Sequence, residues 1–299
     1  AITIAVRPSR VAADGAQVLV SCMDGSVRIF HFAANGVGEM LLEPSEADGA
    51  GVLSHAKFAT TCAWSPKGDW LASAGRDQNI HIYRWSHEGG GAKFEKTVQC
   101  SGAPEALVFV DCMGCLCLVA SVRDEASLLY MALEVHLAQE PRMQTGQVVK
   151  VNMNEKGDQY VSFAVLDLAP APRGIPLLAA ATDKSRIIVF RTGSSKQHRN
   201  LFGHTCAEFS RPRIAWDPSG RFIASNSDVD LSVHVWHVAS GEQVLKLQGH
   251  RLSIRDVTFL AESEQSDDQT GSRPEATLVT AGFDRSVRVW NQLNDVNCC

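Results

Sequence analysis

The chain has 299 residues, of which 45% are hydrophobic and 20% charged, so it can bury a core and is not disordered by composition. Its 28 lysines and arginines against 33 aspartates and glutamates give a net charge of −5, which disfavours nucleic acid as a partner. The longest apolar stretch, residues 107–122, is interrupted by Asp111 and Gly114 and is too short to span a membrane.

The cysteines indicate the compartment. There are nine, an odd number, and most of them lie inside apolar runs rather than at regular spacings. The sequence also lacks an Asn-x-Ser/Thr glycosylation site. Both features favour a reducing, intracellular location, cytoplasmic or nuclear, over a disulfide framework.

A short pattern recurs along the chain: an aspartate followed six or seven residues later by an aromatic residue, with apolar residues alternating between them. In chain order the pairs are Asp24 and Phe30, Asp77 and Tyr83, Asp124 and Tyr130, Asp183 and Phe190, Asp230 and Trp236, and Asp284 and Trp290. An apolar run precedes each aspartate. An apolar strand, a polar turn and an alternating strand predict a β-hairpin at each of the six positions.

A further strand is predicted upstream of most hairpins. The clearest examples are residues 62–64 before Ser-Pro-Lys-Gly68, and residues 214–216 before Asp-Pro-Ser-Gly220. Proline and glycine supply the dihedral angles that such turns need. Residues 128–139 are the best helical candidate, but they overlap the third hairpin, and we interpret them as a strand followed by an irregular loop.

These residues resemble the WD40-repeat family. Gly203-His204 and Gly249-His250 match the Gly-His dipeptide of that family, and Ser54-His55 is a near match. The likeness is specific in the second, fifth and sixth repeats and degenerate in the others. No repeat keeps the Trp-Asp dipeptide itself, since Trp236 is followed by His237 and Trp290 by Asn291.

The resemblance implies an all-β propeller of four-stranded antiparallel blades, with six blades visible and seven expected in the full-length protein. The predicted single domain spans residues 1–299, with blades at about 1–43, 54–99, 104–150, 160–200, 204–247 and 250–299, the last incomplete. We expect the chain to start inside the first strand of blade 1, at residues 2–6. It stops nine residues after Trp290, which leads us to expect a fragment of a larger ring.

The resemblance also implies buried hydrogen-bond sets of a histidine, a hydroxyl residue, an aspartate and an aromatic residue. The three predicted sets are His55, Ser73, Asp77 and Tyr83; His204, Ser225, Asp230 and Trp236; and His250, Thr280, Asp284 and Trp290. Because the same trio recurs in separate blades, we interpret these residues as structural and not as catalytic triads.

Basic residues beside the aspartate turns suggest a partner-binding face, since in the WD40 family these turns lie on the face that most often binds partners. The predicted partner-binding residues are Arg76, Arg123, Lys184, Arg251, Phe283 and Arg285, with Arg211, Arg213 and Arg255 expected nearby. Such a ring would suit acidic or phosphorylated segments of other proteins. The alternative is that these cations only offset the neighbouring aspartates.

Other features carry weaker predictions. The trio Cys112, Cys115 and Cys117 lacks a fourth ligand, so no metal and no cofactor are expected. Cys298-Cys299 could carry a lipid only if it is a natural C-terminus. Residues 43–51, 134–146 and 261–275 are polar insertions, expected to be solvated loops or docking segments.

The sequence therefore favours a non-enzymatic interaction scaffold or adaptor, a subunit of a multiprotein complex. The alternative is a propeller enzyme with its active site at the central channel. That alternative needs residues outside the repeating sets, and His31, His81 and His136 are the candidates.

Overall fold

The computed structural model describes residues 2–8, 15–33, 38–42, 54–86, 91–135, 143–154, 156–172, 174–260 and 277–291. The chain divides into two compact units, residues 1–162 and 163–299. The described residues form 23 β-strands and contain no helix. None of them therefore belongs to a helix long and apolar enough to cross a membrane.

The first unit contains three four-stranded antiparallel sheets, each with its strands in sequential order. Sheet 1 consists of β1 (Thr3–Val6), β2 (Ala16–Ser21), β3 (Val27–Phe32) and β4 (Gly38–Leu42). Sheet 2 consists of β5 (Ala59–Trp64), β6 (Trp70–Gly75), β7 (Asn79–Ser86) and β8 (Gly91–Gln99). Sheet 3 consists of β9 (Pro104–Cys112), β10 (Cys115–Val122), β11 (Ser127–Val135) and β12 (Val148–Asn152).

The second unit continues the same topology. Sheet 4 consists of β13 (Val165–Pro170), β14 (Leu177–Thr182), β15 (Arg186–Arg191) and β16 (Gln197–Phe202). Sheet 5 consists of β17 (Ile214–Trp216), β18 (Phe222–Ser227), β19 (Ser232–His237) and β20 (Gln243–Gln248). Sheet 6 has three strands among the described residues, β21 (Ile254–Leu260), β22 (Thr277–Gly282) and β23 (Val287–Trp290).

The fold class is therefore the predicted one, all-β with the antiparallel blades of a β-propeller. The apolar cores lie between successive sheets within each unit. One core joins Leu19, Ile29, Leu71 and Tyr83 from sheets 1 and 2, and another joins sheets 2 and 3. The second strands β6 and β10 are buried along their whole length, and both contribute side chains to the core between sheets 2 and 3.

The predicted hairpins correspond to the second and third strands of the sheets. The helical candidate at residues 128–139 begins as β11, and His136 lies outside the described residues, as do residues 43–51, most of 134–146, 261–275 and Cys298-Cys299. The assignment of one domain to the whole chain, with a seventh blade, stays a prediction.

The residue after the turn aspartate adopts a left-handed backbone in several sheets. Its φ is +88° at Gly25, +67° at Gln78, +53° at Leu231 and +61° at Arg285. A side chain at this conformation costs about 1 kcal/mol, which glycine avoids. The Asp-Gly turn of sheet 1 is thus the unstrained form of a turn that other sheets build with larger residues.

We expect Gln78→Gly to raise the free energy of unfolding by about 0.5–1 kcal/mol, because it removes this strain from an exposed position. Gly25→Ala should destabilise the fold, since a Cβ at Gly25 would lie 2.3 Å from the carbonyl oxygen of His55. Urea unfolding of both variants measures the effect. A loss of stability in Gln78→Gly would contradict the turn geometry.

Candidate functional site

The predicted set in sheet 6 forms a continuous hydrogen-bond chain. His250 contacts Asp284 through Nδ1 at 3.1 Å and Thr280 Oγ1 through Nε2 at 2.8 Å, and Trp290 Nε1 donates to Thr280 Oγ1 at 3.0 Å. The backbone N–H of Arg251 and the Ser286 hydroxyl donate to Asp284 and hold the pKa of that carboxyl well below its usual range. The aspartate is therefore ionised, and its carboxylate oxygens accept hydrogen bonds from groups of the same sheet.

The set in sheet 2 has the same geometry. His55 contacts Asp77 through Nδ1 at 3.0 Å and Ser73 Oγ through Nε2 at 2.9 Å, and Ser73 also bonds to the Tyr83 hydroxyl. Burial lowers the pKa of His55, which keeps the ring neutral. Burial also raises the pKa of the Asp77 carboxyl, but His55 and the backbone N–H of Ala56 outweigh this, so its pKa is lowered.

The set predicted in sheet 5 is wrong. Neither ring nitrogen of His204 has a hydrogen-bond partner among the described residues, although the residue is only 2% exposed. Asp230 instead pairs with Lys246 at 2.6 Å and His234 at 3.3 Å, and Ser225 donates to the Asn226 carbonyl. Trp236 Nε1 donates to the Phe202 carbonyl at 2.7 Å.

The length of the turn explains this difference. The residue after the hydroxyl residue of the set pairs across the turn with a residue six positions on in sheet 2 (Ala74 with Ile80) and in sheet 6 (Ala281 with Val287). In sheet 5 the equivalent pair, Asn226 with Val233, is seven positions apart. The sheet 5 turn is thus one residue longer, which moves Asp230 one position beyond the place that would face His204. Side chains of successive residues point in different directions, so one extra residue breaks the set.

The two leftover histidines within the described residues, His31 and His81, do not converge on a reactive site. His31 lies on β3 of sheet 1 and His81 on β7 of sheet 2, and no hydrogen bond or ring contact joins them in the described part of the chain. His81 Nδ1 contacts Thr97 Oγ1 at 2.8 Å, and its ring stacks on His55 at 4.4 Å. The channel-enzyme alternative therefore gains no support from these two residues.

One group of side chains has the spacing of a metal site. Ligand atoms of His55, Asp77 and His81 lie within 4.8 Å of one another, and two histidines with a carboxylate can hold a divalent metal. Both ring nitrogens of His55 already have hydrogen-bond partners, however, so a metal there would displace the bond to Asp77. The hydrogen bonds of sheet 2 account for this cluster.

The cysteine trio belongs to strands β9 and β10. Cys115 and Cys117 are fully buried, and Cys112 is directly opposite Cys115 across a two-residue turn. The seven described cysteines are free thiols. Hydrogen bonding with Cys112, together with burial, raises the pKa of Cys117, so its thiol is unreactive.

Three of the predicted partner-binding cations are paired with carboxylates. Arg123 Nε lies 2.7 Å from Glu105 and the Arg76 guanidinium 3.5 Å from the same carboxylate, which is almost completely buried. Lys184 pairs with Asp183 at 3.3 Å. The structure thus brings Arg76 and Arg123 together in the first unit, around a single anion. Sequence reasoning missed Glu105, because it lies on β9, 18 residues before Arg123 in the chain and on the sheet next to that of Arg76.

The other three predicted residues, all in sheet 6, are exposed. Phe283 is 60% exposed, and the Arg255 guanidinium lies over its ring at 5.0 Å. Arg251 and Arg285 are exposed and form no ion pair with a described residue. The nearby Arg213, by contrast, pairs with Asp167 at 3.3 Å.

We define the Asp-turn end of a sheet as the end with the turn between its second and third strands, together with the connection entering its first strand. These two segments are adjacent because the first two strands are antiparallel, as Thr3 opposite Ser21 shows. Large hydrophobic residues that are exposed and lie outside strands all occur there in the described chain: Met23, Phe58, Tyr160, Val161, Phe209, Val229, Leu252 and Phe283. The opposite turns carry none among the described residues.

Comparison with known proteins identifies the repeat. The family described as "WD domain, G-beta repeat" matches residues 51–84 and 241–291. The "Periodic tryptophan protein 2 homolog" of Neurospora crassa is 27% identical over 99 residues, 33% of this chain and 10% of that protein. The "Denticleless protein homolog" of Danio rerio is 23% identical over 145 residues, 45% of this chain and 20% of that protein.

The aligned parts of the chain thus span no more than a fifth of the length of these relatives. The family matches fall on the repeats in which the structure forms the complete hydrogen-bond sets, those of His55 and His250. Two stretches of the chain thus match the WD40 repeat, and together with the blade topology of the six sheets they support a WD40-type β-propeller.

Proposed function

We propose that this protein is a non-catalytic scaffold or adaptor that binds protein partners through the Asp-turn ends of its sheets, as an intracellular subunit of a multiprotein complex. The observation that carries the proposal is the placement of exposed apolar residues. Eight large hydrophobic side chains outside strands are exposed at the Asp-turn ends, and none at the opposite turns of the described chain. Exposed apolar groups are costly in water, and their clustering marks interaction surfaces.

The titratable groups support the same function. The histidines and aspartates of sheets 2 and 6 are engaged in structural hydrogen bonds, so they are not free to activate a substrate. Sheets whose polar side chains are already hydrogen-bonded to one another are better suited to binding a partner on their surface than to catalysis. The free thiols and the net charge of −5 fit an intracellular protein whose partners are other proteins.

Site-specific photo-crosslinking tests this proposal. A photoreactive phenylalanine analogue at Phe209 or Phe283 should crosslink to partner proteins in extracts of the native source. The same analogue at Ser219 or Ser240, exposed residues at the opposite end of sheet 5, serves as the control. We expect partner adducts from the first pair and not from the second. Equal adduct yields from both ends would refute the proposed face.

A further inference from the structure

Sheet 6 carries more arginines than carboxylates among its described residues. Its described residues, 249–260 and 277–291, contain Arg251, Arg255, Arg285 and Arg288, and none of these forms an ion pair with a described residue. The same residues include only two carboxylates, Asp256 and Asp284. Asp284 already accepts hydrogen bonds from His250, Ser286 and the backbone of Arg251.

The contrast with the other predicted cations locates the positive charge. Arg76 and Arg123 share the Glu105 carboxylate and Lys184 pairs with Asp183, so each of these cations is engaged in an ion pair. In sheet 6 no arginine forms an ion pair with a described residue, and Arg288 Nε is buried with no hydrogen-bond partner among the described residues. Desolvated guanidinium groups gain most from a partner anion, which they can hold through two parallel hydrogen bonds.

An apolar anchor lies beside these arginines. Phe283 is 60% exposed in the turn between β22 and β23, and Leu252 is 52% exposed in the connection to β21. Arg255 stacks on the Phe283 ring at 5.0 Å, which orders the ring and places a cation on it. An exposed aromatic ring next to arginines is the composition typical of binding hot spots.

We infer that the Asp-turn end of sheet 6 binds an acidic segment of a partner protein, with its carboxylates on Arg251 and Arg285 and an apolar side chain on Phe283. The inference rests on the proposed function and adds to it the chemistry of the partner. The chain as a whole is acidic, so long-range attraction does not bring an acidic segment to the surface in general. Recognition therefore depends on this local arginine cluster.

Fluorescence anisotropy with a labelled synthetic peptide tests the inference. The peptide has glutamates flanking a central phenylalanine and leucine, and its control has glutamines in place of the glutamates. We expect the double variant Arg251→Gln/Arg285→Gln to weaken binding of the glutamate peptide about tenfold or more, because two charge-assisted contacts are lost. Phe283→Ala should weaken binding of both peptides.

A matched variant controls for bulk charge. Arg191→Gln/Lys196→Gln also removes two exposed cations from the second unit, at the opposite end of sheet 4, and should leave the affinity unchanged. Equal weakening by both double variants would overturn the inference, as would equal affinity for the two peptides or tighter binding of a single-stranded oligonucleotide. Such a result, together with adducts at Phe209 and Phe283, would leave the proposed function standing.

Discussion

Replacing His55 with phenylalanine is expected to lower the free energy of unfolding by about 2–4 kcal/mol, because it leaves Asp77 and Ser73 buried without their shared partner. The same replacement at His204 should leave stability unchanged or raise it by up to about 1 kcal/mol. His204 occupies the corresponding Gly-His position, but its buried ring forms no hydrogen bond with a described residue. A phenylalanine keeps the edge-on contact with Trp236 at 5.5 Å.

Urea unfolding of both variants, followed by tryptophan fluorescence, measures these effects. His250→Phe is the control within the second unit, and it should destabilise as His55→Phe does, since His250 contacts both Asp284 and Thr280. A loss at His204 comparable to that at His55 would mean that sheet 5 forms the set that the structure lacks.

Acidification should destabilise the protein between pH 6.5 and pH 4, and His204 should account for much of the effect. Burial, together with the neighbouring His234, lowers the pKa of His204 to about 4, against the raising influence of Asp230. Because the folded-state pKa is depressed, the unfolded chain takes up the proton first. The stability is therefore complete above pH 6.5 and falls by about 1.4 kcal/mol for each pH unit below it.

The His204→Phe variant isolates this contribution. Between pH 6.5 and pH 4, its free energy of unfolding should fall less steeply than that of the wild type. The two slopes should differ by about 1.4 kcal/mol per pH unit. His81, whose pKa burial also lowers to about 4, adds to the slope in both proteins. The lowered pKa values of Asp77, Asp230 and Asp284 contribute only at lower pH. Parallel curves for the two proteins would show that His204 is hydrated in the folded state.

The sequence also suggested where partners bind, but not which cations are available to them. It placed Arg76, Arg123, Arg251 and Arg285 in one category, since each lies next to a turn aspartate or a Gly-His dipeptide in the chain. In the folded protein the first two converge on Glu105, while the latter two form no ion pair with a described residue. These ion pairs join residues on different strands or sheets, and local sequence does not specify such neighbours.

The sequence by itself determined the repeating unit: the strand pattern, the aspartate turns, the hydrogen-bond sets of His55 and His250, and the exposure of Phe283. These features depend on residues within one hairpin and its preceding loop, so short-range spacing is sufficient to predict them. Only the tertiary structure decided that His204 lacks a hydrogen-bond partner among the described residues and that Glu105 pairs with two arginines. A single extra turn residue redirects Asp230, and packing between sheets brings Glu105 to Arg76, so both outcomes depend on geometry that emerges when the sheets assemble.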